Sequence, residues 1–245
     1  MFGNRNQSNN GNFGGGFGGS QNSGFGGGLG AAQSGGFGSP QNGLGQAGGL
    51  NLVKQATTGE VLTLTKDNPN LDEILIGLKW DISAMPGVNF DIDHAILLLD
   101  QYDNSGMGFF TCFDNRFKRT ADGSVNQGAD NLVGGTGGQK YSEQSTIKLS
   151  KVDPRAVRIL IVTHIFDARR NRQTFSQVSN ASITIEDVAN RRELINYNLT
   201  ANYGQNISIE VAELVRNGQH WDFKAVGRGL DEEYDEIFRR YRLPI

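Results

Sequence analysis

Residues Phe90 to Asp100, Phe-Asp-Ile-Asp-His-Ala-Ile-Leu-Leu-Leu-Asp, constrain the fold of this chain more than any other stretch. The apolar run from Ala95 to Leu99 reads as a β-strand buried on both sides. Side chains alternate along a strand, so Asp91, Asp93, Ala95, Leu97 and Leu99 share one face. Two carboxylates then stand roughly 7 Å apart at the rim of an apolar face. Like charges in a half-dry place repel, and burial raises that cost. A proton, a basic partner or a cation can relieve them. The pair is therefore either a solvated strand end or half of a hard-cation site built from oxygen donors.

The segments around this strand carry the same signature. Val61–Thr65 alternates, and Glu73–Asp81 contains Ile-Leu-Ile-Gly-Leu-Lys-Trp. Further strands are expected at Phe109–Asp114, Thr146–Leu149, Ala156–Phe166, Val178–Glu186, Leu194–Asn198, Ile207–Val215 and Trp221–Val226. Asn217-Gly218 between the last two is a strong hairpin signal. Leu230, Tyr234, Ile237, Phe238 and Tyr241 recur at helical spacing, so one short helix is expected over Leu230–Tyr241. Many short strands with regular turns predict an all-β fold, a two-sheet antiparallel β-sandwich closed by a C-terminal helix.

Ahead of this domain, residues 1–50 have a different composition. Nineteen of them are Gly, and Arg5 is the only charged side chain. Such a segment cannot bury enough apolar area to offset its chain entropy, so a disordered low-complexity tail is expected before a folded domain at 51–245. Phe2, Phe13, Phe17, Phe25 and Phe37 stand singly among the glycines. The tail reads as a tether, as a self-associating or protein-contacting arm, or as a segment that orders in an assembly. It holds no repeated Arg-Gly-Gly, and the net charge is −3, so nucleic acid is not an expected partner. No run of eighteen apolar residues exists to span a membrane. The N-terminus shows no apolar signal region, which predicts a cytoplasmic protein. A lone cysteine, Cys112, excludes a disulfide framework and reads as a small buried hydrophobe.

Residues 115–144 read as one long loop, and long loops are usually functional. The centre, Gly128 to Gly138, contains Asp130 and Asn131, with Glu143 beyond it. Asp, Asn and backbone carbonyls are the Ca²⁺ ligand set, so the loop is either such a donor loop or a mobile Gly-rich connection. A phosphate loop is excluded, because Gln139 and Tyr141 flank Lys140 where Gly and Ser or Thr are required. His94, His164 and His220 lie far apart, without metal-ligand spacing, and read as structural residues. No nucleophile elbow is present, and an enzyme is not expected.

Several blocks carry a family resemblance. Leu78-Lys79-Trp80-Asp81 and Phe90-Asp91-Ile92-Asp93 resemble the opening motifs of the TerD-domain family of tellurite-resistance and stress proteins. Gly128–Gly138 is similar to that family's Gly-Asp-Asn-x-Thr-Gly loop. His164-Ile165-Phe166-Asp167-Ala168 and Arg172 to Ala181 resemble its central block, and Arg216-Asn217-Gly218 with Trp221, Phe223, Ala225 and Gly227 its closing hairpin. The resemblance spans about Val61 to Tyr241 and leaves out the tail. It implies a Ca²⁺-binding β-sandwich with a cytoplasmic role in chemical stress, acting as a binding or scaffold module without catalysis. Carried onto matching positions, it implies ligands drawn from Asp81, Asp91, Asp93, Asp130, Asn131 and Glu143. Ala129 is inserted in the loop, and Gln139-Lys140 replaces the family's acidic run. The family can hold two ions; these departures leave one expected here. The uncharged tail keeps open a second reading, a structural or assembly component of a multimer, filament or virion.

Overall fold

The computed structural model describes residues 54–106, 108–200 and 203–243. The expected tail, residues 1–50, lies outside the described residues. Twelve strands and two short α-helices follow in order: β1 (Lys54–Gln55), β2 (Val61–Thr63), β3 (Glu73–Lys79), β4 (Ile92–Leu99), β5 (Phe110–Thr111), β6 (Val125–Gln127), β7 (Glu143–Lys148), β8 (Arg158–Ile165), α1 (Ala168–Asn171), β9 (Ser182–Asp187), β10 (Arg192–Asn198), β11 (Ser208–Asn217), β12 (His220–Leu230) and α2 (Tyr234–Arg240). They form two six-stranded sheets, β1-β10-β9-β3-β7-β6 and β2-β12-β11-β8-β4-β5. Every pairing is antiparallel except the two-residue parallel contact of β1 with β10.

The expected sandwich is present, and β4 explains its own sequence. All eight residues of β4 are buried. Alternation sends Ile92, Ile96 and Leu98 into the core between the sheets, with Ile74, Ile76, Leu78, Trp80, Ile159 and Phe223. Ala95, Leu97 and Leu99 point the other way, into a second cluster with Leu160, Val162, Phe110 and Cys112. Tyr234, Ile237, Phe238 and Tyr241 of α2 cover that second face. The apolar run is thus packed once by the opposite sheet and once by the helix. Each buried large side chain of α2 contributes about 2 kcal/mol before the entropy of docking is subtracted.

Several strand ends shift by a few residues from the sequence reading, and three of the differences have a clear physical reason. The helix begins at Tyr234, not Leu230, because Leu230 remains in β12 opposite Ser208. The Glu233 N–H donates to Glu236 Oε2 at 2.8 Å, and Asp235 and Glu236 lie in the first turn, which suits the positive end of the helix. The ninth strand starts at Ser182, not Val178, because Phe175–Gln177 forms a 3-10 turn before it. Residues 115–144 are also not a loop throughout. Asn115–Phe117 is a 3-10 turn, and β6 pairs with β7 and edges the first sheet. Three residues with two buried positions, Val125 and Gln127, are too short for an alternation signal to emerge from a polar background. The Asn217-Gly218 hairpin forms as expected, with Gly218 at φ +61°.

Candidate metal centre

The β3–β4, β6–β7, β8–β9 and β10–β11 connections gather at the end of the sandwich where β4 begins. Asp91 precedes β4, and its carbonyl accepts from the Phe166 N–H at 2.8 Å, which pins it to the end of β8. Asp93 lies on β4 opposite His164 and is 1% exposed. It occupies the face that α2 covers, the same face as Ala95 and Leu97. Asp130 enters from the β6–β7 connection. One carboxylate oxygen from each of Asp91, Asp93 and Asp130 falls within 4.8 Å of the others. The three residues make further contacts, and one oxygen of each, Oδ1, is buried out of reach of a hydrogen-bond donor.

The loop that delivers Asp130 is tied down, in contrast to a mobile Gly-rich connection. Asn131 Oδ1 accepts from the N–H groups of Val133 and Gly134, both at 3.1 Å. Its Nδ2 donates to the carbonyls of Gly135 and Ser142 at 3.0 and 3.4 Å. The Gly135 N–H reaches Trp80 O at 2.9 Å, and the Trp80 indole donates to Phe90 O at 3.0 Å. Gly134 has φ +83°, and a Cβ there would lie 2.5 Å from Trp80 Nε1, so this turn requires glycine.

The six expected ligands therefore divide. Asp91, Asp93 and Asp130 converge. Asn131 spends its carboxamide on the loop. Glu143 is 3% exposed; its Oε1 accepts from the Asn131 N–H at 3.0 Å and its Oε2 lies 2.9 Å from His94 Nδ1. His94 Nε2 in turn meets Ser145 Oγ at 2.6 Å. Asp81 Oδ2 accepts from Asn180 Nδ2 at 2.6 Å and stays outside the triad. Glu143 and Asn131 act on the site by holding the Asp130 loop in place, the usual job of groups behind metal ligands. Lys140 ion-pairs with Glu186 and Glu193 instead of reaching the triad.

One neighbour was not legible in the sequence. Tyr234, read there only as part of a helical stripe, has a buried hydroxyl without a hydrogen-bond partner among the described residues. Burial, and next the negative charge of Asp93, push its pKa well above the ordinary tyrosine value. Only the docking of α2 brings it beside the triad, and helical spacing carries no record of that. Cys112 is buried, and burial above all pushes its thiol up to about 12, so it is no nucleophile at neutral pH. His164 Nδ1 lies 2.9 Å from Ser208 Oγ and its Nε2 lies 2.8 Å from Glu233 Oε2. Ser208 is 0% exposed, and its hydroxyl donates to Glu232 O, so this trio clamps α2 to the sheet and presents no hydroxyl to a substrate.

Three carboxylates at the rim of a dry strand form an all-oxygen, strongly negative donor set. That chemistry fits a hard divalent cation such as Ca²⁺ and offers neither imidazole nor thiolate to zinc. The class defined by fold and site is a two-sheet β-sandwich with a candidate cation centre among its end loops. Comparison makes this specific: the TerD domain matches residues 53–241, and the chain belongs to that family. The chain is 32% identical over 192 residues to the uncharacterized protein YceE of Bacillus subtilis, covering 78% of this chain and 98% of the relative. It is 32% identical to the Bacillus subtilis stress response protein SCP2 over 195 residues, 75% of this chain and 96% of the relative. It is 34% identical over 172 residues to the tellurium resistance protein TerD of Serratia marcescens, 70% of this chain and 88% of the relative. The crystal structure of a telluride resistance protein homologue from Streptomyces coelicolor superposes with a TM-score of 0.57 at 22% identity, covering 71% of this chain and 100% of the homologue. The family is thus one of tellurium and chemical-stress resistance, and the structural likeness establishes the sandwich. Among the described residues no helix is long and apolar enough to cross a membrane.

Proposed function

We propose that this chain is a Ca²⁺-binding stress-response protein of the TerD type, working in the cytoplasm as a binding or scaffold module without catalysis. The supporting observation is the Asp91–Asp93–Asp130 triad, with one oxygen of each residue within 4.8 Å of the others. A bound Ca²⁺ supplies positive charge that removes the mutual repulsion of these carboxylates and ties the β6–β7 loop to the rigid start of β4. Asp93 offers a donor fixed by the sheet, Asp130 one fixed by the Asn131 turn, and Glu143 holds that turn from behind. The names of the relatives, tellurium resistance and stress response, support the cellular role. The Gly- and Phe-rich segment of residues 1–50 adds an arm for protein partners or self-association.

The test is calorimetric titration of the full chain with Ca²⁺, paired with thermal melting. The expected result is saturable heat at one site and a melting temperature that climbs with Ca²⁺ concentration. No heat and an unchanged melting temperature refute the reading.

A further inference from the structure

The β3–β4 and β6–β7 loops flank the triad, and each presents apolar side chains to water. Ile82 is 62% exposed, Met85 47%, Leu132 45% and Val133 41%. These are four of the six large hydrophobic side chains exposed among the described residues. The two loops touch, since Ile82 packs where a Cβ on Gly135 would stand, 2.9 Å from its Cγ1. Neither tip contains a charge: Ile82 to Asn89 and Leu132 to Gln139 are entirely uncharged. The charges lie at the bases of the loops, as Asp81, Asp91, Asp130 and Lys140, the last ion-paired with Glu186 and Glu193. Small residues surround the apolar ones, with Ser83, Ala84 and Gly87 on one loop and Gly134, Gly137 and Gly138 on the other. No charged side chain within either tip opposes entry into an apolar layer; the carboxylates lie beneath.

Basic side chains stand on the neighbouring connection. Arg170 has a side chain 79% exposed, and Arg172 is exposed beside it. Gln173 Nε2 donates to Asn89 O at 2.7 Å, which fastens this connection to the β3–β4 loop. Lys79, at the end of β3, is exposed as well. The net charge of the chain is −3, so attraction to an anionic surface must be local. Without a cation, Asp81, Asp91, Asp93, Asp130 and Asp167 outnumber Lys79, Arg170 and Arg172, and the end repels anions. With a divalent cation on the triad, its two positive charges cancel that excess of two, and the end no longer repels an anionic surface.

We propose that this end of the sandwich is a cation-gated docking surface for an anionic lipid bilayer. Ile82, Met85, Leu132 and Val133 enter the interface, and Arg170 and Arg172 meet the headgroups. The inference rests on the Ca²⁺ reading above. A bilayer fits better than a folded partner, because single side chains on two uncharged tips of mostly small residues need a soft apolar layer and no complementary shape. Binding should scale with the apolar area inserted and with the anionic lipid content.

The experiment is co-sedimentation of the full chain with phosphatidylcholine–phosphatidylserine vesicles, in Ca²⁺ and in chelator, with phosphatidylcholine vesicles as a third arm. Binding on the order of tenfold stronger in Ca²⁺, and only to anionic vesicles, is expected. Met85→Ser/Leu132→Ser should lower vesicle binding about tenfold while keeping the melting temperature and the calorimetric Ca²⁺ heat of the parent. Ca²⁺ heat without vesicle binding overturns the docking surface and leaves the cation site standing. Equal sedimentation in chelator, or unchanged sedimentation of the double variant, also overturns it. Ca²⁺-driven dimerisation without vesicles would assign the patch to a second copy and refute the bilayer. Absence of Ca²⁺ heat removes both readings together.

Discussion

Asp93→Asn should have opposite effects on stability in the ion-free and Ca²⁺-loaded protein. The three carboxylates approach within 4.8 Å of one another. At an effective dielectric of about 20, one such pair costs about 3.5 kcal/mol. Asp91 and Asp130 are only half-buried, and water screening at those two reduces the cost to about 1 kcal/mol per pair. Asp93→Asn removes two of the three pairs, so the chelated variant should gain about 2 kcal/mol. For a domain of this size that is roughly 4–8 °C in Tm. The same change removes one of three charged ligands and should weaken Ca²⁺ binding about a hundredfold. With both forms saturated, that loss is about 2.7 kcal/mol of linkage. The variant should therefore melt above the parent in chelator and slightly below it in excess Ca²⁺. Differential scanning calorimetry in the two media reads this directly. If Asp93→Asn shifts Tm by the same amount in both, the triad is a structural feature and the cation argument is wrong.

Three further outcomes follow from neighbouring contacts. Tyr234→Phe deletes a buried hydroxyl without a hydrogen-bond partner, so ion-free stability should rise by about 1 kcal/mol in urea unfolding; a loss of that size would mean the hydroxyl is paired. Gly134→Ala places a Cβ 2.5 Å from the Trp80 indole at φ +83° and should cost about 3 kcal/mol, read by the same unfolding curves; a neutral result would show that the loop swings freely. The Glu233 carboxyl is held below its usual 4.5: burial, the largest influence, pushes it up, but the hydrogen bond and charge of His164, with the Arg169 N–H and charge, outweigh it. Its contribution to stability is complete above pH 4.5 and lost as pH falls through the depressed value, so Glu233→Gln should flatten the acid limb of a stability–pH curve; an unchanged limb would refute the clamp.

The architecture was legible where periodicity was long. β4 and β8, buried on both faces, announce themselves by the apolar runs Ala95–Leu99 and Ile159–Val162, and the β11–β12 hairpin is announced by Asn217-Gly218. β6 was not legible, because a three-residue edge strand owes its existence to pairing with β7 rather than to its own pattern. At the site, the common face of Asp91 and Asp93 followed from strand alternation. The arrival of Asp130 beside them depends on how the loop folds back, and spacing does not encode that. The same limit hid the different duties of Asn131 and Asp130: adjacent in sequence, one builds the turn and the other leaves it toward the triad. His94 read as structural, and it is buried between Glu143 and Ser145, a role set by strands that meet only across the sandwich.

The placement of Asp93 joins the C-terminal helix to the candidate centre energetically. Asp93 stands on the face of β4 that α2 covers, and Tyr234 of α2 feels its negative charge. Undocking α2 would wet that face and let water screen the carboxylate repulsion, so ion-free repulsion works against docking. A cation on the triad removes the penalty without altering the apolar contacts of Ile237 and Phe238. Reciprocity then requires that whatever holds α2 down strengthens cation binding by the same free energy. The His164–Ser208–Glu233 clamp is such a device, seated at the first turn of the helix, where undocking would begin. The helix and the acids at this strand end are thus coupled for one physical reason: burial beneath α2 raises the cost of their mutual repulsion, and a cation would remove it.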